Sequence, residues 1–388
     1  MKKVRDEKEI FKIIFIIGIF IILNIIFRNF AGQDYKIFLI KWIEEIISNG
    51  KINSLAMQIG NYTPPYIYFL VIGTYVTSNS IFWIKLVSNI FTIGIAIVSY
   101  YIIKKFDENI KLSKVLLVIL LPSVFINSGM ITQCDAIYTF FVLLFICLIL
   151  RGKNKCALCF YGVALGFKLQ AIFIAPVFLY LLLKKKIKIW EIIFVPIGFV
   201  ACMLPSIIYG RNIIDIIKVL FNQSSEYSEI VKSAPNIYSQ VHLNYMPVDF
   251  KVKMILSVIT ILISIYVVLK NTKENEYSNK MFLEKVMLLS FIVPYLLPAM
   301  HDRYFYMANI FAYIFLLFID DEKNTKKNKI YLILISVACA LPVFLYNFIY
   351  VIDMRYSNIE EWLGVTVISS TIMTNIMLIF CDKYLSQK

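Results

Sequence analysis

The chain has 388 residues, 60% of them apolar and 16% charged, with a mean hydropathy of +0.76 and a formal net charge of +14. Soluble domains hold about 45–50% apolar and about 25% charged residues, so this composition excludes an ordinary water-soluble enzyme and points to lipid as the solvent. The positive charge falls in short clusters between apolar runs, the pattern of cytoplasmic loops, and forms no stripe that would suit nucleic acid.

In chain order, a basic start leads into an apolar run at 11–27. Arg28, Asn29 and Phe30 stand where a signal-peptide cleavage site would need small residues, so a retained first transmembrane helix is expected. Further spans are expected at roughly 81–103, 115–131, 136–150, 156–168, 170–183, 189–209, 253–270, 285–299, 304–319, 330–350 and 362–381. With the N-terminus inside, about 12 spans place every basic cluster in the cytoplasm. These are Lys2–Lys3–Arg5–Lys8, Lys104–Lys105, Arg151–Lys153–Lys155, Lys184–Lys185–Lys186–Lys188, Lys323–Lys326–Lys327–Lys329 and the C-terminal Lys383 and Lys388.

Two segments need a topological decision. A crossing by PPYIYFLVIGTYV at 64–76 would move every later cluster outside, so it reads as a juxtamembrane or re-entrant helix on the outer side. Pro64 and Pro65 suit its first turn, where a missing N–H costs nothing. The stretch 156–183, flanked by cations at both ends, reads as a helical hairpin with Lys168, Leu169 and Gln170 at its outer apex. Gly162 and Gly166 form a G-x-x-x-G that permits close helix contact or simply fits a crowded bundle.

The outer side then collects the polar candidates. Loop 29–63 contains Asp34, followed by an amphipathic helix at 35–48 with Phe38, Leu39, Trp42, Ile43 and Ile47 on one face and Lys41, Glu44, Glu45 and Ser48 on the other. The turn 132–135 holds Gln133, Cys134 and Asp135, with Cys134 the cysteine most accessible from outside. The large loop 210–252 holds Asn236 and His242, and the turn 300–303 holds His301, Asp302 and Arg303. Charged groups gathered at one membrane boundary are functional candidates. Simpler roles compete: Asp34 and Asp135 each suit a helix N-cap, Lys168 can snorkel to headgroups, His301–Arg303 can be a polar turn, and His242 can be plainly solvated. Seven cysteines, mostly inside apolar runs, suggest no disulfide framework, and Cys156–Cys159 reads as small packing residues. No metal-ligand spacing is visible, and no metal or other cofactor is expected.

Five stretches carry a resemblance: QDYKIFLIKW with IGNYTPPYIY, TQCDAIYTFFVLL, GFKLQAIFIAP, SAPNIY and LPAMHDRYFYMAN. In this order, from residue 33 to 309, they resemble the GT-C superfamily of integral membrane glycosyltransferases. They are especially similar to bacterial mannosyltransferase-like proteins that use polyprenyl-phosphate-sugar donors. The tail from 320 onward shows no such match, and Thr132 stands where that group more often has a small or aromatic residue.

The resemblance implies an all-α, polytopic transmembrane helical bundle of GT-C type, with amphipathic juxtamembrane helices in the first extracytoplasmic loop. It implies a single membrane-embedded domain: a core over 1–209, the outer loop 210–252 and C-terminal helices over 253–388. It implies hexose transfer, mannose by default, from a polyprenyl-phosphate-sugar to a lipid-linked or cell-envelope glycan acceptor. The expected setting is the plasma membrane, with both termini cytoplasmic and the active site extracytoplasmic. The family's essential first-loop carboxylate corresponds to Asp34, and a second acidic residue to Asp135.

The chemistry suits these residue types. A glycosidase must protonate a poor leaving group, whereas a departing phosphate needs no proton, so one general base suffices. Asp34 is the expected base, with Asp135 beside it. Lys168, His301 and Arg303 offer cations and donors to the phosphate, and Gln133, Gln170 and Asn236 offer polar contacts to the substrate. Two rivals stand. A transporter or flippase of lipid-linked glycans would show repeat symmetry and midplane charges, and no repeat is visible. A cell-surface polysaccharide polymerase would use the same lipid-linked reactants.

Overall fold

Each apolar run named from the sequence forms a helix in the computed structural model of the chain, which describes residues 2–225, 228–272, 276–320, 325–352 and 359–386. Lys323 and Lys388, counted above among the cytoplasmic charges, lie outside these. Among the described residues the only strands are two-residue pieces, Val231–Lys232 pairing parallel with Met300–His301. Among the described residues six helices are long and apolar enough to cross a membrane. They are Glu7–Ile26, Ser80–Ile103, Ile189–Ile208, Phe250–Leu269, Lys326–Asn347 and Gly364–Leu385. A seventh span arises if Leu112–Leu120 and Pro122–Met130, bent by 59°, count as one. The bend falls at Pro122, which cannot continue the preceding helix's hydrogen-bond ladder. Helix length therefore does not establish about 12 crossings. Pro64–Val76, Asp135–Leu150, Leu169–Leu183 and Tyr306–Ile319 are shorter than the roughly 20 residues a crossing needs.

The chain divides into two compact units, Met1–Ala171 with Glu191–Glu226, and Ile172–Trp190 with Tyr227–Lys388. The halves of the expected hairpin 156–183 fall in different units.

In the first unit, Asn154–Phe167 and Phe194–Ile208 meet backbone to backbone. A Cβ on Gly162 would lie 2.0 Å from the Val195 carbonyl oxygen, and one on Gly198 would lie 2.0 Å from that of Cys159. The glycines at this crossing thus set the helix separation. The first loop contains the expected short helices: a π turn Tyr35–Leu39 running into Ile40–Ser48, then Pro64–Val76 with prolines in its first turn. The buried face of the amphipathic segment is Tyr35, Leu39, Trp42 and Ile46, while Phe38 and Ile47 stay exposed. The face is rotated from the expected one because a π turn holds an extra residue and shifts every later side chain around the axis.

Charges within the apolar helices are satisfied by helix ends. Lys85 donates to the Phe27 carbonyl at 2.5 Å, just past the end of the first helix. In the second unit, Lys285 donates to the carbonyls of Val267 and Lys270 at 2.8 and 2.6 Å, and Lys184 to that of Thr272 at 2.5 Å. Two carbonyls at the end of Phe250–Leu269, those of Val267 and the C-cap Lys270, and the Thr272 carbonyl just beyond it thereby gain cationic donors. Further along the same unit, Asp320 accepts from Asn328 and Tyr384 and is ion-paired with Lys383.

Candidate active site

The first unit builds its polar centre around the chain reversal between Pro122 and Asp135. The short helix Pro122–Phe125 passes directly into a π turn, Ile126–Met130. Thr132 follows in the left-handed region, at φ +59°, and is fully buried. A β-branched residue there is strained by about 1–3 kcal/mol, so surrounding bonds must hold it. They do: Gln133 N–H donates to the Asn127 carbonyl at 2.9 Å, and the Ser88 hydroxyl donates to the Gln133 carbonyl at 2.6 Å. The turn delivers the Gln133 side chain to Asp34, where its amide donates to Oδ2 at 2.8 Å. Asp34 leads into the π turn of the first loop without capping it.

Asp135 is the first residue of Asp135–Leu150, whose N-cap position is Cys134. Its carboxylate is engaged elsewhere. Oδ2 accepts from the Asn127 amide at 2.6 Å, and Oδ1 is ion-paired with the Lys168 ammonium. Lys168 stands in extended backbone just past the helix Asn154–Phe167 and is buried, not snorkelling. Its ammonium lies 6.0 Å from the centre of the Tyr62 ring. Thr63 donates to the Gly166 carbonyl at 2.5 Å, which holds the end of the first loop against this corner. Tyr66 is buried within electrostatic range of Cys134, Tyr62, Asp135 and Asp34. Gln170 is half-buried, and its carboxamide oxygen accepts from no described residue. A cavity of about 280 Å³ lies between the amphipathic helix and Pro64–Val76, lined by Ile43, Ile47, Leu70 and Trp83 with Lys51 and Ser80 among its polar atoms.

Arg211 was not anticipated. It donates to the Met57 carbonyl at 3.2 Å and to the Gln58 side chain, whose own amide donates to the carbonyls of Gly60 and Tyr62. It therefore fixes the loop that carries Tyr62. Asn127 was missed because it sits inside an apolar run. The available signal was that position itself, since a polar side chain in a span is rarely idle. Cys134 is buried in the cluster of Tyr35, Trp42, Tyr66 and Ile137, so it is not the accessible thiol; Cys156 is exposed.

The second unit holds its own polar centre. Ser233 bridges His301 beside the two short strands, at φ +55°. Its N–H donates to Asn244 Oδ1 at 3.0 Å, and its hydroxyl lies 2.7 Å from that of Tyr245. Asn236 caps the helix Ile237–Gln240 by accepting from the N–H groups of Tyr238 and Ser239. Asp302 is buried, 3.5 Å from the Arg303 guanidinium and 3.8 Å from His301 Nδ1. Arg303 lies over the Tyr304 ring at 5.8 Å, and His301 packs against the same ring. Burial pushes the Tyr245 hydroxyl up to about 12, with Asp302 and Glu229 adding to the effect and the Ser233 bond opposing it. His242 is exposed, as a solvated loop histidine would be.

The structure thus joins Asp34, Gln133, Asp135 and Lys168 into one network in the first unit; in the second, His301 and Arg303 flank Asp302 while Asn236 serves as a helix cap. Among the described residues no group of three His, Cys, Asp or Glu side chains converges as a metal site requires.

No protein-family model matches the sequence. No curated protein matches it either. Among solved structures, the chain is similar to ArnT from Cupriavidus metallidurans bound to undecaprenyl phosphate. The TM-score is 0.52 at 10% identity, covering 96% of this chain and 78% of that one. At that identity the likeness is one of fold. With its apolar helices, it gives the chain an all-helical, multi-pass membrane fold like that of ArnT.

Proposed function

We propose that the chain transfers a hexose, mannose by default, from a polyprenyl-phosphate-sugar to a lipid-linked or cell-envelope glycan on the extracytoplasmic face, with inversion at the anomeric carbon. The observation that carries this reading is the Asp34–Gln133 and Asn127–Asp135–Lys168 network, set in a fold like that of a protein solved with undecaprenyl phosphate.

In this reading the acceptor oxygen attacks the anomeric carbon from the side opposite the phosphate. The new C–O bond forms as the bond to phosphate breaks, and the acceptor proton passes to Asp34. Gln133 fixes the plane of that carboxylate, and a base held in place is worth more than a mobile one. The departing phosphate carries the bond's electrons away, and Lys168 supplies positive charge to it. Asp135 keeps that ammonium aimed. Gln170 is the proposed further contact to the donor in this unit; in the second unit, taken by itself, Asn236, His301 and Arg303 are proposed as polar groups for substrate, Arg303 having the fork that suits phosphate oxygens. The cavity behind the amphipathic helix suits the first isoprene units of the lipid, because its lining is largely apolar.

The test is purified protein in nanodiscs, given radiolabelled donors and a panel of glycan and lipid acceptors. Transfer from polyprenyl-phosphate-sugars and indifference to nucleotide sugars is expected. Movement of lipid-linked glycan across a sealed bilayer, with no new glycosidic bond, would replace this reading with a transporter; chain extension of a lipid-linked polysaccharide would make it a polymerase.

A further inference from the structure

We infer that Asn127 is the positioning residue that locks the two carboxylate arms of the site to each other, an inference that rests on the reading of Asp34 as base. Three bonds carry it. The Asn127 side-chain amide donates to Asp135 Oδ2 at 2.6 Å. Its backbone carbonyl accepts from Gln133 N–H at 2.9 Å. The Gln133 side chain in turn donates to Asp34 at 2.8 Å. Asp34 and Asp135 lie far apart in the chain, yet two residues connect them.

The local backbone accounts for the placement. Asn127 is the second residue of the π turn Ile126–Met130. The extra residue in that turn rotates its side chain toward the start of Asp135–Leu150, and such turns recur at functional sites. The amide orientation is fixed by chemistry, since only its N–H groups can face a carboxylate. Asn127 is 1% exposed, and its Oδ1 accepts from no described residue. A fold selecting for packing alone would place leucine there, among Ile126, Met130 and Ile131, and leave no buried acceptor unmade. The asparagine makes sense where its donor matters. It also leaves Asp135 fully engaged, with Asn127 on one oxygen and Lys168 on the other, so Asp135 acts through its neighbours.

Two variants of the full-length protein in nanodiscs test this. Asn127→Leu keeps the branched heavy-atom shape and loses the donor. The first readout needs no substrate: carbodiimide labelling of Asp135, followed by mass spectrometry, is expected to rise about threefold or more as its Oδ2 loses the amide donor, while Gln133, held by the backbone carbonyl of residue 127, keeps its bond to Asp34. The second is turnover with polyprenyl-phosphate-sugar, where kcat is expected to fall about tenfold with KM nearly unchanged, because no substrate contact is removed. Asn127→Asp sets two carboxylates at hydrogen-bond distance, facing Lys168, with Asp34 beyond Gln133 and Tyr62, Tyr66 and Cys134 around them. Such a pair shares a proton. This variant should therefore work at low pH and lose activity as the pH rises through the loss of that proton, a limb missing from wild type and from Asn127→Leu. Unchanged Asp135 labelling in folded Asn127→Leu, or an Asn127→Asp profile that follows wild type, overturns the inference. A wild-type protein that transfers no sugar defeats the proposed function instead, and the labelling then decides the role of Asn127 alone.

Discussion

Asp135 and Lys168 are ion-paired inside the first unit, with 1% and 6% of their side-chain surfaces exposed. Removing one partner of a buried pair leaves an uncompensated charge and costs about 3–5 kcal/mol. Lys168→Met is therefore expected to lower the unfolding midpoint sharply and abolish turnover. The double variant Asp135→Asn with Lys168→Met should regain most of the lost stability, since the carboxamide oxygen introduced by the first change can still accept from Asn127, and regain no activity. A double variant as unstable as the single one would show that packing of the lysine stem, and not its charge, holds this corner.

Asp34→Asn tests the base. The amide is nearly isosteric and can still accept from Gln133 through its oxygen, so the fold should be unaffected. Turnover should drop about 10²–10⁴-fold, the usual contribution of a general base. Normal turnover would remove Asp34 from the mechanism.

At the helix crossing, Gly162→Ala sets a methyl group 2.0 Å from a backbone carbonyl that cannot step aside. Thermal unfolding in detergent should register a loss of about 1–3 kcal/mol. Gly18→Ala, where nothing lies within 4 Å of the added carbon, is the control. It should be neutral or stabilising by about 0.5–1 kcal/mol, through helix propensity.

Topology can be read from thiols. Cys156 is exposed and lies beside the basic cluster Arg151–Lys155, whereas Cys134 is buried. A membrane-impermeant maleimide should label Cys156 in inverted vesicles and leave both thiols unmodified in intact cells. A cysteine in place of Lys326 should behave like Cys156. Its labelling from outside the cell would reverse the proposed orientation and, with it, the side of the active site.

The helices were legible because lipid imposes a composition on every residue that faces it. Long apolar runs, and cations between them, need no knowledge of partners, so every run named from the sequence is helical. Asp34, Asp135 and Lys168 could likewise be named as candidates, being charged groups at the ends of apolar runs. Their wiring could not. Gln133 meets Asp34 across 99 positions and Lys168 meets Asp135 across 33, and no local pattern encodes such contacts. The π turns at Tyr35 and Ile126 decide which face of the amphipathic helix is buried and where Asn127 points, yet a π turn differs from an α turn by one residue and leaves no mark on hydropathy. Lys85 and Lys285 stand inside apolar helices at a cost that only a neighbouring helix end can offset, and which carbonyls do so is a property of packing. The sequence by itself determined the solvent, the helices and the chemical alphabet of the site. The tertiary structure decided which carboxylate is held by an amide and which by an ammonium, because hydrogen bonds are made between neighbours in space.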